Sequence, residues 1–116
     1  MSFDLVVVAI DPAATPDDVR AMVERCRGPW HPDGEPDPRI VAFYTDLRST
    51  FPDRPPLDDA SPWTGVPLDA GIDHVVMCIS YSPVGTRAVE LVVDLAEKHG
   101  LVLWDPQLEE AFAFGD

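Results

Sequence analysis

Residues 3–10 read Phe3-Asp4-Leu5-Val6-Val7-Val8-Ala9-Ile10 (FDLVVVAI), and this stretch decides the fold. Its apolar, largely β-branched character is almost unbroken, where a strand with one wet face would alternate apolar and polar side chains. Phe3, Leu5, Val7 and Ala9 line one face; Val6, Val8 and Ile10 line the other. A strand of this kind is covered on both sides and lies inside a sheet. Asp11-Pro12 ends it.

Outward from this strand, three helices announce themselves by their starts. Thr15-Pro16-Asp17-Asp18 offers a capping hydroxyl, a proline for the first helical position and two acids where the helix dipole favours them. Val19, Met22, Val23 and Cys26 follow as one apolar stripe, and Gly28-Pro29 stops the helix. Asp37-Pro38 repeats the signal ahead of Ile40, Phe43, Tyr44, Leu47 and Phe51. Ser82-Pro83 repeats it again ahead of Val84, Ala88, Leu91, Val92 and Leu95, with Gly100 closing that helix after His99. Residues 73–81 (DHVVMCISY) form a second clear strand, with Val75, Met77 and Ile79 on one face and Val76 and Cys78 on the other. Residues 101–104 (LVLW) form another, ended by Asp105-Pro106. A short strand is expected at 65–68, with Ala70-Gly71 as the turn that follows.

The order β-α-α-β-β-α-β points to an α+β fold of the ferredoxin-like, split β-α-β plan. It carries an extra helix after the first helix and an antiparallel or mixed four-stranded sheet. Crossover handedness places the first strand beside the 73–81 strand, in parallel. Residues 1–107 make one domain, and 108–116 a short tail, one helical turn or unstructured. Helices in such a plan cover one face of the sheet. The other face then needs a cover, and the second helix, the 52–70 loop or a second copy of the chain are the candidates.

The chain has 116 residues, 21 acidic and 8 basic, for a formal net charge of −13. That excludes nucleic acid and an anionic membrane surface as partners, because both rest on Lys and Arg meeting phosphates. A basic protein partner fits the charge, as does solubility alone. The first residues lack the positive start of a signal peptide, and no apolar run approaches the roughly 20 residues that span a bilayer. The expectation is a cytoplasmic protein in which Cys26 and Cys78 are free thiols.

Catalytic and metal signals are weak. His31, Asp33, Glu35 and Asp37 alternate along the connector 28–38 (GPWHPDGEPDP), but a calcium loop beginning at Asp33 would place Pro38 and Tyr44 where glycine and a bidentate glutamate belong. No histidine pair has zinc spacing. There is no nucleophile elbow, no glycine-rich phosphate loop and no HExxH. The reading therefore assigns no catalytic residue, no metal and no cofactor. His99, in a last helical turn, and Asp73-His74, at a strand start, have ready structural roles.

Tryptophan placement is more informative. Trp30 and Trp63 sit in proline-rich acidic segments, which suits anchors for a basic surface; the competing reading makes them lids on the sheet. The candidate partner-binding set is Trp30, His31, Asp33, Glu35, Asp58, Asp59 and Trp63. An alternative is a small-ligand or catalytic pocket between the sheet and the 52–70 loop, with Asp73, His74 and Tyr81 as its polar groups. Homodimerisation through the open sheet face is a third reading, compatible with either.

Met1-Ser2-Phe3-Asp4-Leu5, Ser61-Pro62-Trp63, Gly71-Ile72-Asp73-His74-Val75-Val76 and Lys98-His99-Gly100-Leu101-Val102-Leu103-Trp104-Asp105-Pro106-Gln107 together resemble a family of small uncharacterised acidic bacterial proteins. The resemblance spans nearly the whole chain and transfers no catalytic residue. In size and charge the chain is similar to immunity proteins that neutralise toxins, which is an analogy and not a motif. The leading expectation is a non-enzymatic, immunity-like binding domain that uses its acidic Trp-containing loops.

Overall fold

The computed structural model describes residues 2–11, 13–26, 34–51, 61–64 and 68–113. The elements run β1 (Ser2–Val8), α1 (Pro16–Cys26), α2 (Pro38–Thr50), β2 (Asp69–Ala70), β3 (His74–Ser80), α3 (Pro83–Lys98), β4 (Val102–Asp105) and β5 (Glu110–Ala113). The fold is α+β, with three helices and one antiparallel sheet in the order β2-β3-β1-β4-β5. Among the described residues no helix is long and apolar enough to cross a membrane.

The helix starts follow the sequence signals. Thr15 and Asp18 exchange bonds, the Asp18 N–H to Oγ1 of Thr15 at 3.1 Å and the Thr15 N–H to Oδ2 of Asp18 at 3.2 Å, a reciprocal cap. Asp37 accepts from the Arg39 N–H at 2.8 Å, and Ser82 accepts from the Gly85 N–H at 3.1 Å. Gly100 ends α3 at φ 67°. There the Leu101 N–H reaches the Ala96 carbonyl at 2.9 Å and the Gly100 N–H the Glu97 carbonyl at 3.3 Å, satisfying carbonyls that the helix leaves open.

β1 is central and buried on both faces. Leu5 and Val7 join Ile40, Phe43 and Leu47 of α2 and Ala88, Val92, Leu95 and Ala96 of α3 in one core. Val6 and Val8 join Val19, Met22 and Val23 of α1, with Val102 and Trp104, in a second core. Among the described residues α1 is the helix that covers the second face. The second helix, α2, packs on the other face, and the face that would have invited a second copy is occupied over β1 and β4. The reason lies in the amphipathic stripe of α1: its apolar side chains require an apolar partner, and the second face of β1 and β4 is the one that α2 and α3 leave free.

Three expectations are corrected. β1 does lie beside β3, but antiparallel, in register from Ser2↔Ser80 to Val8↔His74. β2 and β1 both run antiparallel to β3, so the parallel relation created by the crossover is between β1 and β2, with β3 inserted between them. The sheet has five strands, not four, because residues 110–113 are not tail: β5 pairs with β4 from Val102↔Ala113 to Asp105↔Glu110. The short strand expected at 65–68 falls mostly on residues 65–67, which lie outside the described residues; β2 is Asp69–Ala70.

Candidate functional site

The ends of several elements converge at one margin of the sheet. β1 ends there, and the Ala9 N–H bonds the Asp73 carbonyl at 2.8 Å. The Asp37 N–H bonds the Ile72 carbonyl at 2.7 Å, which docks the start of α2 on the β2–β3 turn. Arg39 holds both oxygens of Asp37, through Nε at 3.1 Å and Nη2 at 3.0 Å, and its Nη1 reaches the Gly100 carbonyl at 3.3 Å. The guanidinium beside Asp37 holds its carboxyl below the usual aspartate range. Asp11, Glu35, Asp37 and Asp73 thus share this margin. Asp11 and Glu35 are exposed, and the Asp73 side chain is 35% exposed.

Of the expected partner-binding set, only Glu35 and Trp63 are described. Trp30, His31, Asp33, Asp58 and Asp59 lie outside the described residues. Trp63 is buried at 7%. Its indole Nε1 donates to the Phe51 carbonyl at 3.0 Å, and its ring meets the Phe51 ring edge-on with centroids 6.3 Å apart. A ring spent on the core cannot anchor a partner, so Trp63 is corrected to a core residue that seals the end of α2 against β3. Trp104 is likewise buried, with the Arg20 guanidinium 5.7 Å from its ring centroid.

The three polar groups of the alternative pocket do not come together. Asp73 and His74 do pair, Oδ1 to Nδ1 at 2.9 Å, but His74 is 1% exposed in the second-face core. Tyr81 stands beyond the far end of β3, roughly 23 Å away along an extended strand. There it is 62% exposed and packs on Phe3 with ring centroids 4.9 Å apart. His99 caps α3 and meets Asp46 of α2, Nε2 to Oδ2 at 2.9 Å, with Lys98 at 3.4 Å from the same oxygen. His99 and then Lys98 hold the Asp46 carboxyl below its usual range. The described histidines are thus tied into structural pairs. Among the described residues no group of three His, Cys, Asp or Glu side chains is placed to hold a metal. Cys78, expected in the core, is only partly buried, on the face that α1 shares.

Two features escaped the sequence reading. The Arg39 clamp could have been suspected from Asp37-Pro38-Arg39, since a capping acid and an arginine two positions on can meet. The β4–β5 hairpin had its alternation in Glu110 to Ala113, but its turn places Glu109 at φ 52°, a conformation for which glycine or asparagine is the usual signal.

The chain matches no protein-family model, no curated protein and no solved structure.

Proposed function

We propose that this chain is a non-enzymatic, cytoplasmic protein-binding domain that receives a basic partner on its acidic surface, in the manner of an immunity protein. The observation that carries this is the charge: 21 acidic side chains against 8 basic. Of those few cations, Arg20, Arg39 and Lys98 are already paired with Glu109, Asp37 and Asp46. The acids at the margin of Asp11, Glu35 and Asp73 are well placed to steer a cationic surface. With Trp63 committed to the core, Trp30, in the acidic sequence ahead of Glu35, becomes the aromatic anchor. The structural pairings of His74 and His99 favour binding over catalysis. The resemblance of the chain to small acidic bacterial proteins is in keeping with this reading. The strand order and the shared face of α2 and α3 support a ferredoxin-like plan, with α1 as the addition in place of the second helix expected from the sequence.

The test is capture from a native lysate on immobilised protein, eluted in rising salt. Basic proteins retained at low salt and released as charges are screened are the expected result. Retention without bias toward basic proteins would refute it.

A further inference from the structure

Among the described residues β5 is hydrogen-bonded on one side only. It is the last strand of the sheet and pairs with β4 along all of Glu110–Ala113. Exposed large apolar side chains gather on this same hairpin, Leu108 at 61% and Phe112 at 39%. Glu109 and Glu110 between them are exposed. Backbone donors and acceptors along such an edge are a template for another strand. The opposite margin differs: β2 has two residues, and Trp63 reaches Ile79 only through an isolated bridge.

We propose that the outer edge of β5 accepts an extended, basic segment of a partner protein as a sixth strand. Only the basic sign of that segment rests on the functional reading above; the edge does not. Main-chain bonds along an edge hold an added strand whatever its sequence, and alternate side chains select it. Glu110 and Phe112 have the same parity and project from one face, the face of Leu103 and the α2–α3 core. A strand carrying Lys or Arg opposite Glu110 and an apolar residue opposite Phe112 would complement both. A second copy of the chain is the poorer occupant, because it brings a charge of −13 against −13.

The experiment is an amide hydrogen-exchange and chemical-shift titration of the full chain with three synthetic peptides. The Lys-Val peptide repeats Lys-Thr-Val-Thr, so that Lys and Val stand two residues apart as Glu110 and Phe112 do; the Glu-Val peptide repeats Glu-Thr-Val-Thr; and the Lys-Pro peptide repeats Lys-Thr-Pro-Thr, which keeps the charge but puts a proline, with no N–H, in the place of Val. The Lys-Val peptide is expected to slow exchange in residues 110–113 by at least about tenfold while the other two do not. Phe112→Glu and Glu110→Lys, each with an unchanged far-UV spectrum, should each weaken that peptide by at least about tenfold. Lys-Val and Lys-Pro peptides that bind alike, shifting Glu35 or Asp73 without protecting β5, would overturn the edge proposal and leave the basic-partner reading standing. Equal protection of β5 by the Glu-Val peptide would overturn the basic selectivity. No binding by the Lys-Val peptide at low salt would overturn the proposal as a whole.

Discussion

The side-chain amide of Gln107 pairs with the backbone of Asp4 as a strand residue would. Its Oε1 accepts from the Asp4 N–H at 2.9 Å and its Nε2 donates to the Asp4 carbonyl at 2.8 Å. The β1–β4 register, with Val6 opposite Trp104, would bring Pro106 opposite Asp4. Proline has no N–H to donate, so the next side chain supplies the missing donor. Asp105 fixes that amide in place, its Oδ1 accepting from Nε2 at 2.7 Å and from the Gln107 N–H at 2.9 Å.

Replacing Gln107 with Ala should therefore cost about 1–2 kcal/mol, the range for losing a pair of partly exposed hydrogen bonds. Gln107→Glu should cost more, since it removes the donor and sets a second carboxylate beside Asp105. Urea denaturation of the variants measures this. Midpoints equal to wild type for both would mean that the bridge contributes nothing.

Trp63→Ala should destabilise the fold by about 3–5 kcal/mol through the cavity and the lost bond to Phe51. Trp63→Phe, which keeps the ring and loses only the indole donor, should cost less. Thermal melts of both variants decide it. A folded Trp63→Ala with a wild-type melting temperature would return this residue to the surface, contrary to its burial.

At Gly71 there is no room for a side chain. A Cβ there would lie 2.2 Å from Cε1 and 2.7 Å from Nδ1 of His74, so the β2–β3 turn packs glycine directly on the imidazole. Gly71→Ala should cost about 1–3 kcal/mol, as over-packing does. In the double variant with His74→Ala the two costs should be clearly less than additive, because the second change removes what the first collides with. Strict additivity by denaturant titration would exclude the collision as the cause.

Two carboxylates contribute to the acid limb of stability. Asp46, through its bond to His99 and then Lys98, and Asp37, through its bond to Arg39, both titrate below the usual aspartate range. A carboxylate whose folded pKa is depressed contributes stability above its unfolded pKa of about 4 and loses it as pH falls through the folded value. The prediction is a decline in stability beginning near pH 4 and continuing downward, shallower in Asp37→Asn and Asp46→Asn. Melting temperatures between neutral and strongly acidic pH test it, and parallel curves for variants and wild type would contradict it.

The fold was legible where one residue type had one physical reading. The unbroken apolar run of residues 3–10 specified a strand covered on both faces, and Asp37-Pro38 and Ser82-Pro83 marked helix starts to the residue. Strand direction was lost because the crossover relates β1 to β2, and nothing local in the chain says that β3 slips between them. β5 was lost because Glu109 takes a backbone conformation unusual for its type. Trp63 was misplaced because proline-rich, acidic neighbours look like a solvated loop, whereas the Trp63 side chain turns into the core. At the candidate site, charge and the Asp73–His74 neighbourhood were readable. The separation of His74 from Tyr81 was readable as well, since the two stand at opposite ends of the strand expected at 73–81, and grouping them in one pocket contradicted that strand.

The most direct test of the acidic binding domain is quantitative capture of basic lysate proteins by wild type and by Trp30→Ala, each first shown to melt alike. The account predicts salt-sensitive capture of a basic protein by wild type and its loss in the folded Trp30→Ala variant. Equal capture by both would contradict Trp30 as the anchor, and no capture of any basic protein would contradict the binding function itself.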